Sequence, residues 1–467
     1  MSDSEFDIIK RHFLNIGSEH ARPGIVLGIG DDAAILEIPA GKHQCVSTDM
    51  LVESIHFPVD ADPFFLGQKA LAVNLSDLAA MGAEPFCFTL SIALPEYDAS
   101  WLEKFAKGLA HLAQEFDCPL VGGDTTQGPL VISIHVMGLT DAGNGLRRDQ
   151  AMAGDAVMVT GSLGKGAIGL AATGLPVHYD GSLHQNLNID SADIRKTLQQ
   201  FYLTPQPRIA FGCQAAPLIN SAIDISDGLL GDLQHILDRS EVGAVLRLDD
   251  IPFDPAVTAC TTPAQRLGAA LYGGDDYEIC FTARQKNLPE LEEIAHSNHL
   301  AITQIGEIHP EKGLHLVDAK GEETRVTKTA FRHFTAGGGT VGSLVALPLY
   351  LLFVHMHTVV YAAIVLAALL LGVWLCDRTA RDLGVHDHGG IVWDEFVGMW
   401  IALFMVPADW VWIGVAFLLF RLLDILKPWP IKWADKKVAG GWGIMLDDVL
   451  AGIMAALCIQ AILVLIN

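Results

Sequence analysis

Cations are scarce in this chain: 30 Lys and Arg stand against 54 Asp and Glu, a formal net charge of -24. Such a balance excludes a non-specific grip on nucleic acid, because phosphate backbones are held by Lys and Arg. It leaves open acidic clusters that bind a divalent cation. Paired cysteines are also missing. The eight cysteines (Cys45, Cys87, Cys118, Cys213, Cys260, Cys280, Cys376 and Cys458) form no CxxC and no zinc-type spacing, so they read as scattered reduced thiols in a cytosolic setting. The start, MSDSEFDIIKRHF, has no basic stretch followed by an apolar run, and no signal peptide is expected. Neither a solenoid-type repeat nor a low-complexity tract occurs.

Tryptophan is nearly absent from the first 340 residues, where Trp101 stands alone. Trp374, Trp393, Trp400, Trp410, Trp412, Trp429, Trp433 and Trp442 all follow. At the change sits Gly337-Gly338-Gly339, which reads as a flexible joint. Beyond it come the apolar runs Val341–Phe353, Val359–Cys376, Phe396–Phe420 and Val449–Ile466. A helix needs roughly 20 apolar residues to cross a bilayer, so the second and fourth are candidate spans. Pro407-Ala408-Asp409 interrupts the third run. A hairpin of two half-length helices is expected there, because a non-helical turn facing lipid would leave backbone groups unsatisfied.

Before the joint the pattern is α/β. Short β-rich runs alternate with helical stretches such as Pro63–Met81 and Ala99–Phe116. Residues 1–150, 151–336 and 337–467 are the expected domains, the first two α/β and the third all-α.

No Walker A motif is present; Gly161-Ser-Leu-Gly-Lys-Gly166 lacks its spacing and reads as a strand-to-helix turn. Instead, six segments place Asp beside Gly, Ser or Thr. They are Gly28-Ile-Gly-Asp-Asp-Ala33, Ser47-Thr-Asp49, Asn74-Leu-Ser-Asp77, Gly122-Gly-Asp-Thr-Thr126, Asp224-Ile-Ser-Asp-Gly228 and Gly273-Gly-Asp-Asp-Tyr-Glu278. One such segment is an ordinary turn. Six in one soluble half point to a cleft where hard carboxylate oxygens hold Mg²⁺ against a triphosphate.

In order and spacing, these segments resemble the thiamine-monophosphate kinase family of the aminoimidazole ribonucleotide synthetase-like superfamily, from about Glu5 to Phe334. The resemblance implies a homodimer of two-domain α/β subunits, its first domain carrying the metal and ATP site and the dimer interface. It also implies transfer of the ATP γ-phosphate to thiamine monophosphate with Mg²⁺, in line and without a covalent enzyme intermediate. By motif, Asp32, Ser47, Thr48, Asp49, Asp77, Asp124, Asp224 and Asp227 would be metal ligands. Gly123, Asp124, Arg148 and Ser226 would bind ATP. His56, Asp275 and Phe331 would meet the acceptor. In two departures, Asp275 replaces the family's usual Glu and Ala330 an expected Gly. The rival reading is another ATP-using enzyme of the superfamily, acting on a purine intermediate or selenide; His56, the STD segment and the Phe331-Arg-His-Phe334 tail favour thiamine phosphate.

The last third carries charge between its apolar runs, in 377–388, Ile391-Val-Trp-Asp-Glu-Phe-Val-Gly398, Arg421-Leu-Leu-Asp-Ile-Leu-Lys-Pro428 and Gly441-Trp-Gly-Ile-Met-Leu-Asp-Asp448. Arg421, Asp424 and Lys427 share one helical face by spacing. Ionisable groups beside membrane segments usually mark a site. Lys427, Lys432, Lys436 and Lys437 put this side in the cytoplasm by the positive-inside bias. These segments resemble the phosphatidylglycerophosphatase A family from Gly339 onward. The resemblance implies Mg²⁺-dependent removal of the terminal phosphate of phosphatidylglycerophosphate at the bacterial inner membrane. Asp394, Glu395, Asp424, Arg421 and Lys427 would be catalytic, with Asp447 and Asp448 as metal ligands. The family's glycine- and proline-rich leader does not precede Gly339-Thr-Val-Gly-Ser343, so a purely anchoring role is the alternative.

Overall fold

The computed structural model describes residues 5–17, 22–175, 177, 183–189, 192–318, 320–326, 343, 346–350, 353–354, 356–383, 393–407, 409–431 and 440–466. It divides into two compact units, Met1–Phe331 and Arg332–Asn467. Phe331, the joint at 337–339, the charged stretch 384–392 and Lys432, Lys436 and Lys437 lie outside the described residues.

Unit 1 begins with α1 (Glu5–His12) and a short antiparallel pair, β1 (Ile25–Leu27) and β2 (Ile35–Leu36). Then follow β3 (Lys42–Val52), α2 (Pro63–Ala80), β4 (Glu84–Leu94), α3 (Ala99–Glu115), β5 (Leu120–Gln127) and β6 (Val131–Asp141). The four longer strands form a sheet in the order β3-β6-β4-β5, with only β4 and β5 parallel. Asp62 starts α2 by accepting the Phe64 N–H at 2.9 Å, and Pro63 takes the first turn, where its missing N–H costs nothing. Most of α2 is apolar and buried, so it lies inside the unit rather than on its surface.

A second sheet takes up β7 (Asp155–Thr160), β8 (Ile219–Asp224), β9 (Gly243–Arg247), β10 (Ile279–Arg284), β11 (Ile302–His309), β12 (Gly313–Val317) and β13 (Glu323–Arg325). Its order is β13-β12-β9-β11-β7-β10-β8. Among these strands run α4 (Lys165–Ala172), α5 (Leu183–Asn186), α6 (Ala192–Leu203), α7 (Ile209–Ala215), α8 (Leu229–Ser240), α9 (Pro255–Cys260), α10 (Pro263–Tyr272) and α11 (Leu288–Ser297). β7 is buried on both faces and reads as a continuous apolar run. The Gly161–Gly166 segment is the turn from β7 into α4, as its spacing implied.

Unit 2 contains α12 (Thr358–Leu383), α13 (Trp393–Ala402), α14 (Trp410–Leu426) and α15 (Gly440–Ile466) around an apolar core. Among the described residues, two stretches are long and apolar enough to cross a membrane, Thr358–Arg378 and Gly441–Leu463. The third apolar run does break: α13 ends at Ala402, Met405 takes φ +58°, and Asp409 caps α14 by accepting the Val411 N–H at 2.8 Å. The two arms are unequal, with 10 residues before the break and 17 after it.

Candidate active sites

Strand alternation decides which side chains of the Ser47-Thr48-Asp49 segment meet α2. Ser47 donates its hydroxyl to Asp77 Oδ2 at 2.5 Å, and the Asp49 N–H donates to Asn74 Oδ1 at 3.0 Å. Thr48 points to the other face, where its Oγ1 lies 2.6 Å from Nδ1 of His135 on β6. Its hydroxyl is therefore separated from the acids, in contrast to the ligand role the motif implied. From the second sheet, Asp224 ends β8 and accepts the Ser76 hydroxyl at 2.9 Å. Asp49, Asp77, Asp224 and Asp227 thus lie near enough to feel one another's charge, from β3, α2, the end of β8 and the loop after it.

Their proximity shows in their titration. Asp49 is pushed up to about 7 by burial, then by the charges of Asp77 and Asp227. Burial raises Asp77, while the Ser47 hydroxyl and the Arg148 guanidinium oppose the rise. Asp224 is raised furthest, by burial and then by Asp77 and Asp232. Carboxylates crowded this way lack a counter-charge, and a hard divalent cation is the group their oxygens suit. Arg148 is exposed, yet its charge reaches Asp77 and Asp232; neighbouring Arg147 is tied to Asp149 at the surface.

The loops behind the acids hold one another. Asp232, on α8, accepts the N–H groups of Ser226 and Asp227, both at 3.0 Å. The Ser226 carbonyl accepts the Asp275 N–H at 2.9 Å. The motif Gly273–Glu278 turns out to be largely architectural. Asp276 accepts the N–H groups of Gly164 and Gly166 at 2.7 and 2.9 Å. Glu278 is 1% exposed and takes two bonds from Arg208, at 2.7 and 2.6 Å, with Lys165 at 2.6 Å and Thr160 at 2.7 Å. Asp275 is the acid of this motif that stays partly exposed, and it pairs with buried Lys69 at 3.0 Å.

Other expected residues stand apart. Asp32 is exposed, its N–H bonded to Asp31 Oδ1. Asp124 is exposed on β5, beside Gly123, where φ is +152° and a Cβ would sit 1.8 Å from the Leu90 carbonyl oxygen. His56 accepts the Val52 N–H on Nδ1 at 3.0 Å.

In unit 2, Asp394, Glu395 and Asp448 place carboxylate oxygens within 4.8 Å of one another. Asp394 and Glu395 open α13; Asp448 lies on α15. Glu395 Oε2 and Asp448 Oδ1 are buried and accept no hydrogen bond among the described residues. Such atoms are costly unless something fills the gap between them, and three hard oxygens fit Mg²⁺. Arg421 donates to Asp424 at 2.7 Å, and the fields of both reach Glu395. Lys427 does not continue the Arg421–Asp424 face. It ends α14 at φ +42° and pairs with Asp447 at 2.9 Å.

Comparison with known proteins agrees with this division. Residues 30–140 match the AIR synthase related protein N-terminal domain, 152–319 its C-terminal domain, and 326–463 phosphatidylglycerophosphatase A. Thiamine-monophosphate kinase of Escherichia coli (strain K12) is 41% identical over 335 residues, which are 72% of this chain and 99% of that protein. Phosphatidylglycerophosphatase A of the same organism is 51% identical over 119 residues, 25% of this chain and 69% of that protein. The chain belongs to the thiamine-monophosphate kinase family, and its C-terminal part to the phosphatidylglycerophosphatase A family. Among solved structures, thiamine-monophosphate kinase from Stenotrophomonas maltophilia K279a is 41% identical with a TM-score of 0.58, covering 64% of this chain and 92% of its own. AaThiL complexed with AMPPCP and TMP is 28% identical with a TM-score of 0.54, covering 71% of this chain and 97% of its own. Kinase-family membership bears out the two-domain α/β reading of unit 1.

Asp232, Lys69, Tyr202, Arg208 and Lys165 were not singled out from sequence. Asp232 lies inside the helix Leu229–Ser240, past the Asp224–Gly228 segment, where a lone Gly231-Asp232 pair carries little signal. A lysine amid the apolar sequence of α2 was the one legible signal, for Lys69.

Proposed function

We propose that unit 1 phosphorylates thiamine monophosphate to thiamine diphosphate at the expense of ATP, by direct in-line transfer. The convergence of Asp49, Asp77 and Asp224 from three separate elements, with Asp227 beside them, carries this reading. When bound, Mg²⁺ would neutralise phosphate charge as the phosphoryl group moves. The four acids would hold the cation, and Ser47 and Ser76 orient two of them by hydrogen bonds. Exposed Arg148 supplies positive charge for the triphosphate, while Asp232 fixes the Ser226–Asp227 turn through two backbone bonds. The AaThiL complex with AMPPCP and TMP supports both substrates. Asp32 and Asp124 lie outside the acid group and would join it only on the nucleotide; Gly123 leaves room for close approach. The family relation supports a homodimer.

For unit 2 we propose a membrane phosphatase acting on phosphatidylglycerophosphate in the bacterial inner membrane, with unit 1 in the cytoplasm. Asp394, Glu395 and Asp448 would hold Mg²⁺. Arg421 and Lys427, each now paired with an acid, would turn to the phosphate.

The test is the purified, detergent-solubilised full chain with Mg²⁺, assayed for thiamine diphosphate from ATP and thiamine monophosphate, and for phosphate release from phosphatidylglycerophosphate. Asp77→Asn should abolish only the first activity, and Glu395→Gln only the second. A chain that never releases lipid phosphate has an anchor in place of a phosphatase. One that phosphorylates another acceptor but not thiamine monophosphate is a different enzyme of the superfamily.

A further inference from the structure

Lys69 and Tyr202 connect the two described residues that the resemblance places at the acceptor, His56 and Asp275. Lys69 sits midway along α2 and is 1% exposed. Its ammonium lies 3.0 Å from Asp275 Oδ1 and 3.2 Å from the centroid of the Tyr202 ring. Tyr202, on α6, is equally buried and donates its hydroxyl to the His56 carbonyl at 2.5 Å. Tyr277 donates its own hydroxyl to the same Asp275 Oδ1 at 3.2 Å.

A buried ammonium must be paired, so an internal ion pair of purely structural value is the bland account. Three observations go beyond it. Asp275 keeps 29% of its side chain exposed, and its Oδ2 takes no bond among the described residues. Its backbone lies at φ +67° and that of Tyr277 at φ +49°, conformations that non-glycine residues keep only where the surroundings enforce them. Gly166 makes room for this, since a Cβ there would stand 2.2 Å from the Asp275 carbonyl oxygen. Finally, the same ammonium that fixes Asp275 packs on the ring whose hydroxyl fixes the His56 turn. A structural pair needs neither the strained carboxylate nor the tie to His56.

We infer that Lys69 is a positioning residue for the acceptor: through Asp275 it presents one open carboxylate oxygen to a cationic, amino-bearing heterocycle, and through Tyr202 it holds the His56 turn in place. The inference rests on thiamine monophosphate being the acceptor, whose thiazolium and aminopyrimidine have this chemistry. The sharing of Oδ1 between Lys69 and Tyr277 leaves Oδ2 as the substrate-facing atom.

Steady-state kinetics of the full chain in detergent, with thiamine monophosphate and ATP varied separately, test this. Lys69→Met should raise KM for thiamine monophosphate about tenfold and leave KM for ATP within about twofold. Tyr202→Phe keeps the ring under the ammonium and loses only the bond to His56, so about a threefold rise is expected. Added to Asp275→Asn, Lys69→Met should contribute no more than the roughly threefold rise expected of the Tyr202 route, because the route through the carboxylate is already lost. Should Lys69→Met not fold, Tyr202→Phe and Asp275→Asn carry the same requirement of an acceptor-only rise. Equal changes in both KM values, a fall in kcat alone, or full additivity in the double variant overturns the inference. No turnover by the unaltered chain overturns the substrate reading and the inference with it; turnover with unsplit variants overturns the inference alone.

Discussion

A Cβ on Gly452 would stand 2.4 Å from the carbonyl oxygen of Gly398, so α13 and α15 touch where each has a glycine. Asp394 precedes Gly398 by one turn, and Asp448 precedes Gly452 by one turn. The glycine contact therefore sets the separation of the carboxylates. Gly452→Ala should part the helices and spread the acids. A misplacement of about 1 Å can cost two orders of magnitude in rate. Magnesium-dependent phosphate release from phosphatidylglycerophosphate should fall at least about tenfold, with thiamine diphosphate formation unchanged. Loss of both activities together would mean general misfolding and would sink the argument.

Asp276 gives unit 1 a pH dependence of predictable sign. Burial pushes its carboxyl up to about 7, against the pull of the Gly164 and Gly166 amides. The folded chain then holds a proton that the unfolded chain has already released at its ordinary value of 3.8. Stability falls as pH rises from about 4 to about 7 and levels off above. Asp49 and Asp232, also raised to about 7, add to the slope. In EDTA, the kinase melting transition should drop between pH 5 and 7.5, and Asp276→Asn should make the drop smaller. An unchanged slope in that variant would refute the assignment.

How much of this was legible in the sequence depended on what each residue answers to. Asp49, Asp77, Asp224 and Asp227 stand in short motifs rich in Ser, Thr or Gly, and the order and spacing of those motifs were enough to group them. The break at Pro407 was legible because proline and Asp409 stop and restart helices whatever packs around them. Asp276 and Glu278 belong to a motif of the same composition, and no role was read for either from sequence. Their actual partners, Gly164, Lys165 and Arg208, are distant in sequence and arrive only through the sheet. Thr48 was grouped with Ser47 and Asp49 by motif resemblance, and strand alternation turns its hydroxyl to His135 on the other face. Lys427 was placed by helical spacing, which lapses once its φ turns positive.

Arg208 is the cation most committed to Glu278, with two bonds to a side chain that is 1% exposed. Arg208→Met leaves that carboxylate to Lys165 and Thr160 and deprives it of two charge-assisted donors. The loss should be about 3 kcal/mol in denaturant unfolding of the kinase unit. Glu278→Gln should cost a similar amount, because it leaves two cations facing an amide. If either variant unfolds at the wild-type denaturant midpoint, the network contributes no net stability.

Ser47 and Thr48 make the sharpest comparison, being adjacent hydroxyls on opposite faces of β3. Ser47 bonds Asp77 within the acid group, whereas Thr48 faces His135. Ser47→Ala removes a donor that favours the charged form of Asp77, so the acid group should take up Mg²⁺ less readily. The Mg²⁺ concentration for half-maximal thiamine diphosphate formation should rise about tenfold, in keeping with the loss of one charge-assisted hydrogen bond. Thr48→Val keeps the strand and its backbone carbonyl and should leave that concentration within about twofold. A magnesium titration of kinase activity for the two variants settles it. Equal shifts would mean that the Thr48 hydroxyl reaches the metal after all, and that β3 rotates when substrate binds.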